Sequence, residues 1–152
     1  MTDSLAISNN ILRRAFNEGI EISPMKLQKL LYFLYARYLH VSQGEHLLSS
    51  RFEVWKYGPV LSEVYHYFSD YRAKPIKKYA QVDGEAFALN EIRNPLFKEA
   101  LDTTWDKWKS YSAQQLSAIT HFADSAWDKA DKRGDRFLND NEVRTDGEVF
   151  FE

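Results

Sequence analysis

Apolar residues recur at three- and four-residue steps along most of this chain, and that spacing predicts helices. The first is expected over Ser4–Glu18, with Leu5, Leu12, Ala15 and Phe16 on one face and Gly19 placed to stop it. A second helix has a clear start, with Ser23 as N-cap and Pro24 at the first helical position. Leu27, Leu30, Leu31, Leu34, Tyr35 and Tyr38 then follow at helical steps. Tyr32, Phe33 and Leu39 widen the apolar surface until only Lys26, Lys29 and Arg37 leave a narrow polar strip. A helix apolar on most sides is buried on most sides. Residues 24–42 are therefore expected to form the central helix of the fold.

The period changes after Gly44. Residues 52–57 read as a short extended segment that Gly58-Pro59 ends. Pro59 suits the first turn of a third helix over Val60–Tyr71. Two extended runs flank Asp83-Gly84, a dipeptide favouring a type I′ turn, so a small β-hairpin is expected over 76–89. A fourth helix starts at Asn94-Pro95 and carries Phe97, Leu101, Trp105 and Trp108 on one stripe. Ser112-Ala-Gln-Gln115 is a capping box for a fifth, with Leu116 and Ile119 inward. A short helix is expected over Ala126–Lys132. A last helical segment over Asn139–Phe151 is expected to be interrupted at Asp146-Gly147. Acids outnumber bases from Asp135 onward, and a mobile end is expected there. The reading is a mostly α fold: one domain over 1–152, with five to seven helices around the helix at 24–42.

Composition narrows the possible chemistry. The chain has 152 residues, 44% of them apolar and 15% aromatic, enough for one aromatic-rich core. Its net charge of −2 gives no basic excess, so nucleic acid is not expected as a partner. Arg72, Lys74, Lys77 and Lys78 lie beside Tyr71 and Tyr79, a pattern that can bind single strands, but it is read as a soluble exposed edge. There is no cysteine, and neither a leader peptide nor a membrane-spanning run is read. A cytoplasmic protein with no membrane association is expected.

No catalytic constellation emerges. Ser62, His66 and Asp70 fall at four-residue steps, which would align them on one helix face. A mid-helix serine has no free backbone N–H groups nearby to hold an oxyanion, so a solvated face is the expected reading. His40, His46, His66 and His121 show no metal-ligand spacing, and the glycines stand singly rather than in a phosphate loop. No enzyme activity, metal or cofactor is expected.

The densest stretch is Trp55-Lys56-Tyr57-Gly58-Pro59-Val60. Trp55 and Tyr57 are two apart in an extended segment and so face one side. They either lock against the central helix near Tyr35 or Tyr38, or stay open as anchors for a partner. On the open reading Tyr35, Trp55, Lys56 and Tyr57 are the expected contacts. The residues Ser23-Pro-Met-Lys-Leu-Gln-Lys-Leu-Leu-Tyr-Phe33, Phe52-Glu-Val-Trp-Lys-Tyr-Gly-Pro-Val60 with Glu63-Val-Tyr65, and Leu116-Ser-Ala-Ile-Thr-His121 followed by Trp127 keep one order along the chain. In these blocks the chain resembles the Panacea domain family, a SocA-like antitoxin domain also described as phage-associated. The acidic tail over Thr145–Glu152 departs from the family pattern.

The resemblance implies a mostly helical antitoxin that neutralises a cognate protein toxin, encoded by an adjacent gene, through direct protein contact. One branch of the family implies an adaptor that delivers its toxin to a ClpXP-type protease, which needs a second surface such as the tail from Asp135. A DNA-binding autoregulator is a further alternative, with a turn at Gly19–Ser23 leading into the helix carrying Lys26 and Lys29. The resemblance marks Leu27, Gln28, Lys29, Leu30, Trp55, Tyr57, Gly58, Pro59, Val60, Thr120, His121 and Trp127 as signature positions. Their expected role is structural, with His121 capping or bridging and Trp127 filling the core.

Overall fold

The computed structural model describes residues 3–151. Among them the chain forms α1 (Asp3–Glu18), α2 (Pro24–Val41), β1 (Glu53–Trp55), β2 (Gly58–Val60), α3 (Ser62–Phe68), α4 (Pro95–Trp108), α5 (Ala113–Thr120), α6 (Ala126–Arg133) and α7 (Asp140–Phe150). The mostly helical class is as expected, and α2 is its centre: α1, α3, α4, α5, α7 and β2 all pack on it. Its start is built as the sequence indicates, with the Ser23 side chain accepting from the Lys26 N–H and Pro24 in the first turn. Leu27, Leu30, Leu31, Tyr32, Phe33, Leu34, Ala36 and Leu39 are buried around its circumference.

The expected polar strip on α2 does not stay in solvent. Lys26 and Lys29 are both buried, and each ammonium finds a backbone carbonyl. Lys26 Nζ donates to Lys109 O at 2.5 Å, and Lys29 Nζ donates to Pro59 O at 2.9 Å. Arg37 pairs with Glu99 on α4 at 2.6 Å. A long aliphatic stem lets lysine cover apolar surface while its head reaches a polar group, so a cation on a helix need not mark a wet face.

Residues 53–60 correct the expected strand-to-helix corner. They form an antiparallel hairpin, with Glu53 opposite Val60 and Trp55 opposite Gly58. Pro59 sits within β2 instead of opening a helix, and α3 begins only at Ser62. A two-stranded ribbon has free edges where a residue without an N–H is tolerated. The outer edge of β1 is covered from the C-terminal third of the chain. Val54 N–H donates to Arg136 O at 2.9 Å, Leu138 N–H donates to Phe52 O at 3.0 Å, and Glu53 bridges to Phe137.

The hairpin expected over 76–89 reduces to its turn. Asp83 and Gly84 take positive φ (53° and 80°), and Val82 pairs with Glu85, but no strands extend from this bridge. The flanks use α1 instead. Asn9 accepts from Ala80 N–H at 2.8 Å and donates to Ala80 O and Phe87 O at 2.9 and 2.8 Å. Asn10 accepts from Leu89 N–H at 2.9 Å and donates to Leu89 O at 3.0 Å. Two buried asparagines thus satisfy backbone groups that a ladder would otherwise pair.

The C-terminal segment is also ordered differently from expectation. Helix α7 runs unbroken through Asp146-Gly147 and packs along α2, with Val143 and Phe150 in the core. Gly147 is an approach point and not a break: a Cβ there would lie 2.2 Å from the Ala36 carbonyl oxygen. Asp146 is 2% exposed; its carboxylate accepts from the Tyr32 hydroxyl at 2.7 Å and from the Ala126 N–H at 3.2 Å. Burial pushes its pKa up to about 6, against the opposing pull of those hydrogen bonds.

This shift has a defined consequence for stability. Between the ordinary aspartate value of 3.8 and about 6 the folded state holds more protons than the unfolded one, so stability falls as pH rises across that window and levels off above it. Two pH units correspond to an upper bound of about 3 kcal/mol. Urea unfolding at stepped pH is expected to show this decline in the wild type and a flatter profile in Asp146→Asn. An equally steep profile in the variant would assign the decline to other groups.

Candidate partner-binding cleft

Signature residues from distant parts of the chain converge on the 53–61 segment and bond to its backbone. From α2, Gln28 makes a pair with Leu61: its amide donates to Leu61 O at 3.0 Å and its carbonyl accepts from Leu61 N–H at 2.9 Å. One residue on, Lys29 holds Pro59 O. The hairpin tip is gripped from the other side. Trp127 Nε1 donates to Trp55 O at 2.8 Å, His121 Nε2 lies 3.1 Å from Lys56 O, and Ser117 Oγ donates to Tyr57 O at 2.5 Å. Three consecutive carbonyls of the turn are thereby occupied by side chains of α5, its C-cap and α6.

Gly58 closes this arrangement. Its φ of 115° is open to glycine, and a Cβ would lie 2.8 Å from Thr120 Oγ1 and 3.0 Å from Lys29 Nζ. Thr120 is fully buried and donates to Ser117 O at 2.7 Å. His121 is the C-cap of α5, with Nδ1 2.6 Å from Ser117 O and its ring 3.9 Å from that of Trp127. His121 thus both caps and bridges. Trp127 is half-buried and serves by its N–H as much as by its ring, which a core-filling reading does not anticipate. Leu27 and Leu30 are core residues of α2, and Val60 is buried at the end of β2.

With the backbone held inward, the side chains of the tip face outward. Tyr57 is 59% exposed, Lys56 is exposed, and half-buried Trp55 packs edge-on against Tyr65 of α3 at 4.8 Å. Beneath them, between the start of α2 and α3, lies a cleft of about 540 Å³. Met25, Trp55, Tyr57, Val60 and Tyr65 give it apolar walls, and Lys29, Lys56 and Arg72 also line it. Lys29 is only 1% exposed, and desolvation lowers its ammonium pKa to about 7.

Of the expected contacts, Trp55, Lys56 and Tyr57 therefore share one cleft, and Tyr35 stands apart from it. Tyr35 is 3% exposed, stacked on Phe52 at 5.8 Å, with its hydroxyl donating to Asp140 at 3.1 Å. Met25, Tyr65 and Arg72 were not singled out as contacts. Tyr65 lies in the matched Glu63-Val-Tyr65 block, and Ser117 lies one turn before Thr120, so the same helix face was the available signal.

The remaining alternatives are placed as well. Ser62 and His66 lie on α3, but the helix ends at Phe68 and Asp70 belongs to a following 3₁₀ turn, so the row is not continuous. Lys26 and Lys29 are buried and bonded to the Lys109 and Pro59 carbonyls, so α2 after the Gly19–Ser23 turn does not present them as an exposed basic recognition face. Among the described residues no helix is long and apolar enough to cross a membrane.

Comparison with known proteins identifies the family. Residues 27–128 match the family described as antitoxin SocA-like, Panacea domain, a span that contains α2 from Leu27 onward, the hairpin, Thr120, His121 and Trp127. Antitoxin SocA of Caulobacter vibrioides (strain NA1000 / CB15N) is 35% identical over 130 residues, covering 83% of this chain and 69% of the relative. No solved structure gives a significant match. The chain belongs to the SocA-like antitoxin family defined by the Panacea domain.

Proposed function

We propose that this antitoxin-family protein neutralises a cognate protein toxin, the product of an adjacent gene, by binding it directly through the cleft at the hairpin tip. The observation that carries the reading is the pairing of a rigid backbone with outward aromatics. Five side chains hold the 55–61 backbone in place, while Trp55 and Tyr57 present apolar surface to solvent. Tyrosine, tryptophan and arginine dominate binding hot spots, and a preorganised anchor loses little entropy on association. Masking by contact requires no reacting group, in keeping with a cleft lined by hydrophobic and basic side chains.

The test is co-expression with each neighbouring open reading frame, with growth as readout. One neighbour is expected to be toxic alone and harmless beside this protein; if neither is toxic, the antitoxin reading fails. Tyr57→Ala is expected to leave folding stability within about 0.5 kcal/mol of wild type, since it alters only an exposed side chain. Its affinity for the toxin, measured by calorimetry, is expected to fall by about thirtyfold, as for a hot-spot aromatic. Unchanged affinity would place the interface elsewhere. Toxin half-life in the same cells separates masking, which leaves the complex stable, from delivery to a protease.

A further inference from the structure

The cleft carries cations without a counter-ion. Lys29 Nζ has three N–H donors and uses one on Pro59 O, and among the described residues no carboxylate lies within ion-pair distance of it. Lys56 and Arg72 line the same cleft and are exposed, and they too form no ion pair among the described residues. No acidic residue lines it, although the chain as a whole carries a net charge of −2. The N-terminal turn of α2 opens onto it through Pro24 and Met25, adding the positive end of an 18-residue helix. Elsewhere several arginines are matched to carboxylates, Arg14 with Glu91 and Asp102, Arg37 with Glu99, Arg133 with Asp135 and Glu142, whereas all three cations of the cleft lack one among the described residues.

Burial without a counter-ion disfavours the charged form of Lys29, and an incoming anion beside it favours that form again. The apolar walls ask for something else, an aliphatic or aromatic side chain. We propose that the cleft recognises an extended acidic–apolar segment of the toxin, with an apolar side chain between Met25, Trp55 and Tyr65 and an adjacent Asp or Glu carboxylate held over Lys29 and between Lys56 and Arg72. This rests on the toxin-binding reading and specifies the chemistry of the segment that is bound. It also gives the signature lysine on α2 a second use: the residue that pins Pro59 charges the floor on which the partner sits.

A phage-displayed library of random peptides selected on the intact protein, with counter-selection on a Lys56→Glu/Arg72→Gln variant, tests the proposal. Enrichment of sequences placing Asp or Glu beside Leu, Phe or Trp is expected. Synthetic peptides with such a pair, read by fluorescence anisotropy, are expected to bind the double variant at least about tenfold more weakly than wild type, and Asn or Gln counterparts to bind both equally weakly. Lys29→Met is expected to lose the same affinity and also to melt lower than wild type, because Pro59 O loses its donor. The rim variant gives the decisive reading if Lys29→Met fails to fold.

No enrichment, or equal binding of acidic and amide peptides, overturns the proposal. Tighter binding of a single-stranded oligonucleotide at physiological salt than of any acidic peptide also overturns it and assigns the cations to phosphate. The arms separate from the antitoxin test. Acidic-peptide selectivity with no toxic neighbour rejects the function and keeps the cleft chemistry. A toxin neutralised equally well by the rim variant rejects the cleft chemistry and keeps the function.

Discussion

Gly147→Ala is expected to destabilise the fold by roughly 3 kcal/mol, because the added methyl overpacks the α2–α7 seam against rigid backbone. The methyl carbon would stand 2.2 Å from Ala36 O and 2.8 Å from Ala36 C, and backbone at the centre of the fold has no rotamer to change. Alanine is the better helix former by about 1 kcal/mol, so on an exposed helix this substitution would stabilise. Here the clash reverses the sign. For a domain of this size about 3 kcal/mol corresponds to a loss of about 10 °C in melting temperature. Val149→Ala, two residues on and 48% exposed, is the control and is expected to stay within about 0.5 kcal/mol of wild type. If Gly147→Ala melts at or above wild type, α7 does not approach α2 as closely as described.

Gly147 also shows where sequence reading reaches its limit. The N-cap of α2 at Ser23 and the capping box of α5 at Ser112 and Gln115 are legible because both ends of each bond lie within three residues. The close approach at Gly147 is invisible in that window, since its cause is Ala36 on another helix. A glycine inside a helical pattern then reads as a break. The same limit accounts for residues 76–89. Asp83-Gly84 is a sound local signal and its positive-φ turn forms, but Asn9 and Asn10 on α1 supply the hydrogen bonds that strands would have exchanged. Polar residues on the inward side of α1 were the trace of this, and helix periodicity gives no reason to connect them with a segment some seventy residues later.

The candidate cleft divides in the same way. The aromatic and basic cluster Trp55, Lys56 and Tyr57 was visible as a local density of large side chains. Tyr35 joins it in the sequence reading because the cluster is expected to lie against the central helix near Tyr35. Its hydroxyl in fact ends on Asp140, and Phe52 covers its ring. The cleft itself is made by Met25 on α2, the hairpin tip, and Tyr65 and Arg72 on and after α3. A surface assembled from three elements has no signature in any one of them. The signature blocks become intelligible once the contacts are drawn: Gln28 and Lys29 of the first block hold Leu61 and Pro59 at the end of the second, and Ser117, His121 and Trp127 of the third hold its tip. These positions depend on one another through backbone hydrogen bonds, which no single block reveals.

Gly58→Ala is the second substitution with a large expected effect, and it acts on stability and binding together. Holding alanine at a φ of 115° costs about 1–3 kcal/mol in backbone strain. The methyl would also press on Thr120 Oγ1 at 2.8 Å, a hydroxyl fixed by its own bond to Ser117 O, and on Lys29 Nζ and Cε at 3.0 and 3.2 Å. Thr120 is fully buried and has little room to withdraw, so Lys29 is the group that yields. If it yields, Pro59 O loses its donor and the ammonium leaves the cleft floor. The combined cost is expected near 3 kcal/mol, from strain and overpacking together. Gly58→Ala/Thr120→Ser separates the two contributions. Removing the threonine methyl gives the hydroxyl room to rotate without touching the strain at residue 58. Partial recovery of the melting temperature in the double variant, with toxin affinity still reduced, is the expected result. It would show that the glycine is required by the fold through Thr120 and by the partner through Lys29. Full recovery of both properties would mean that Lys29 was never displaced, and that the cleft floor tolerates a side chain at residue 58.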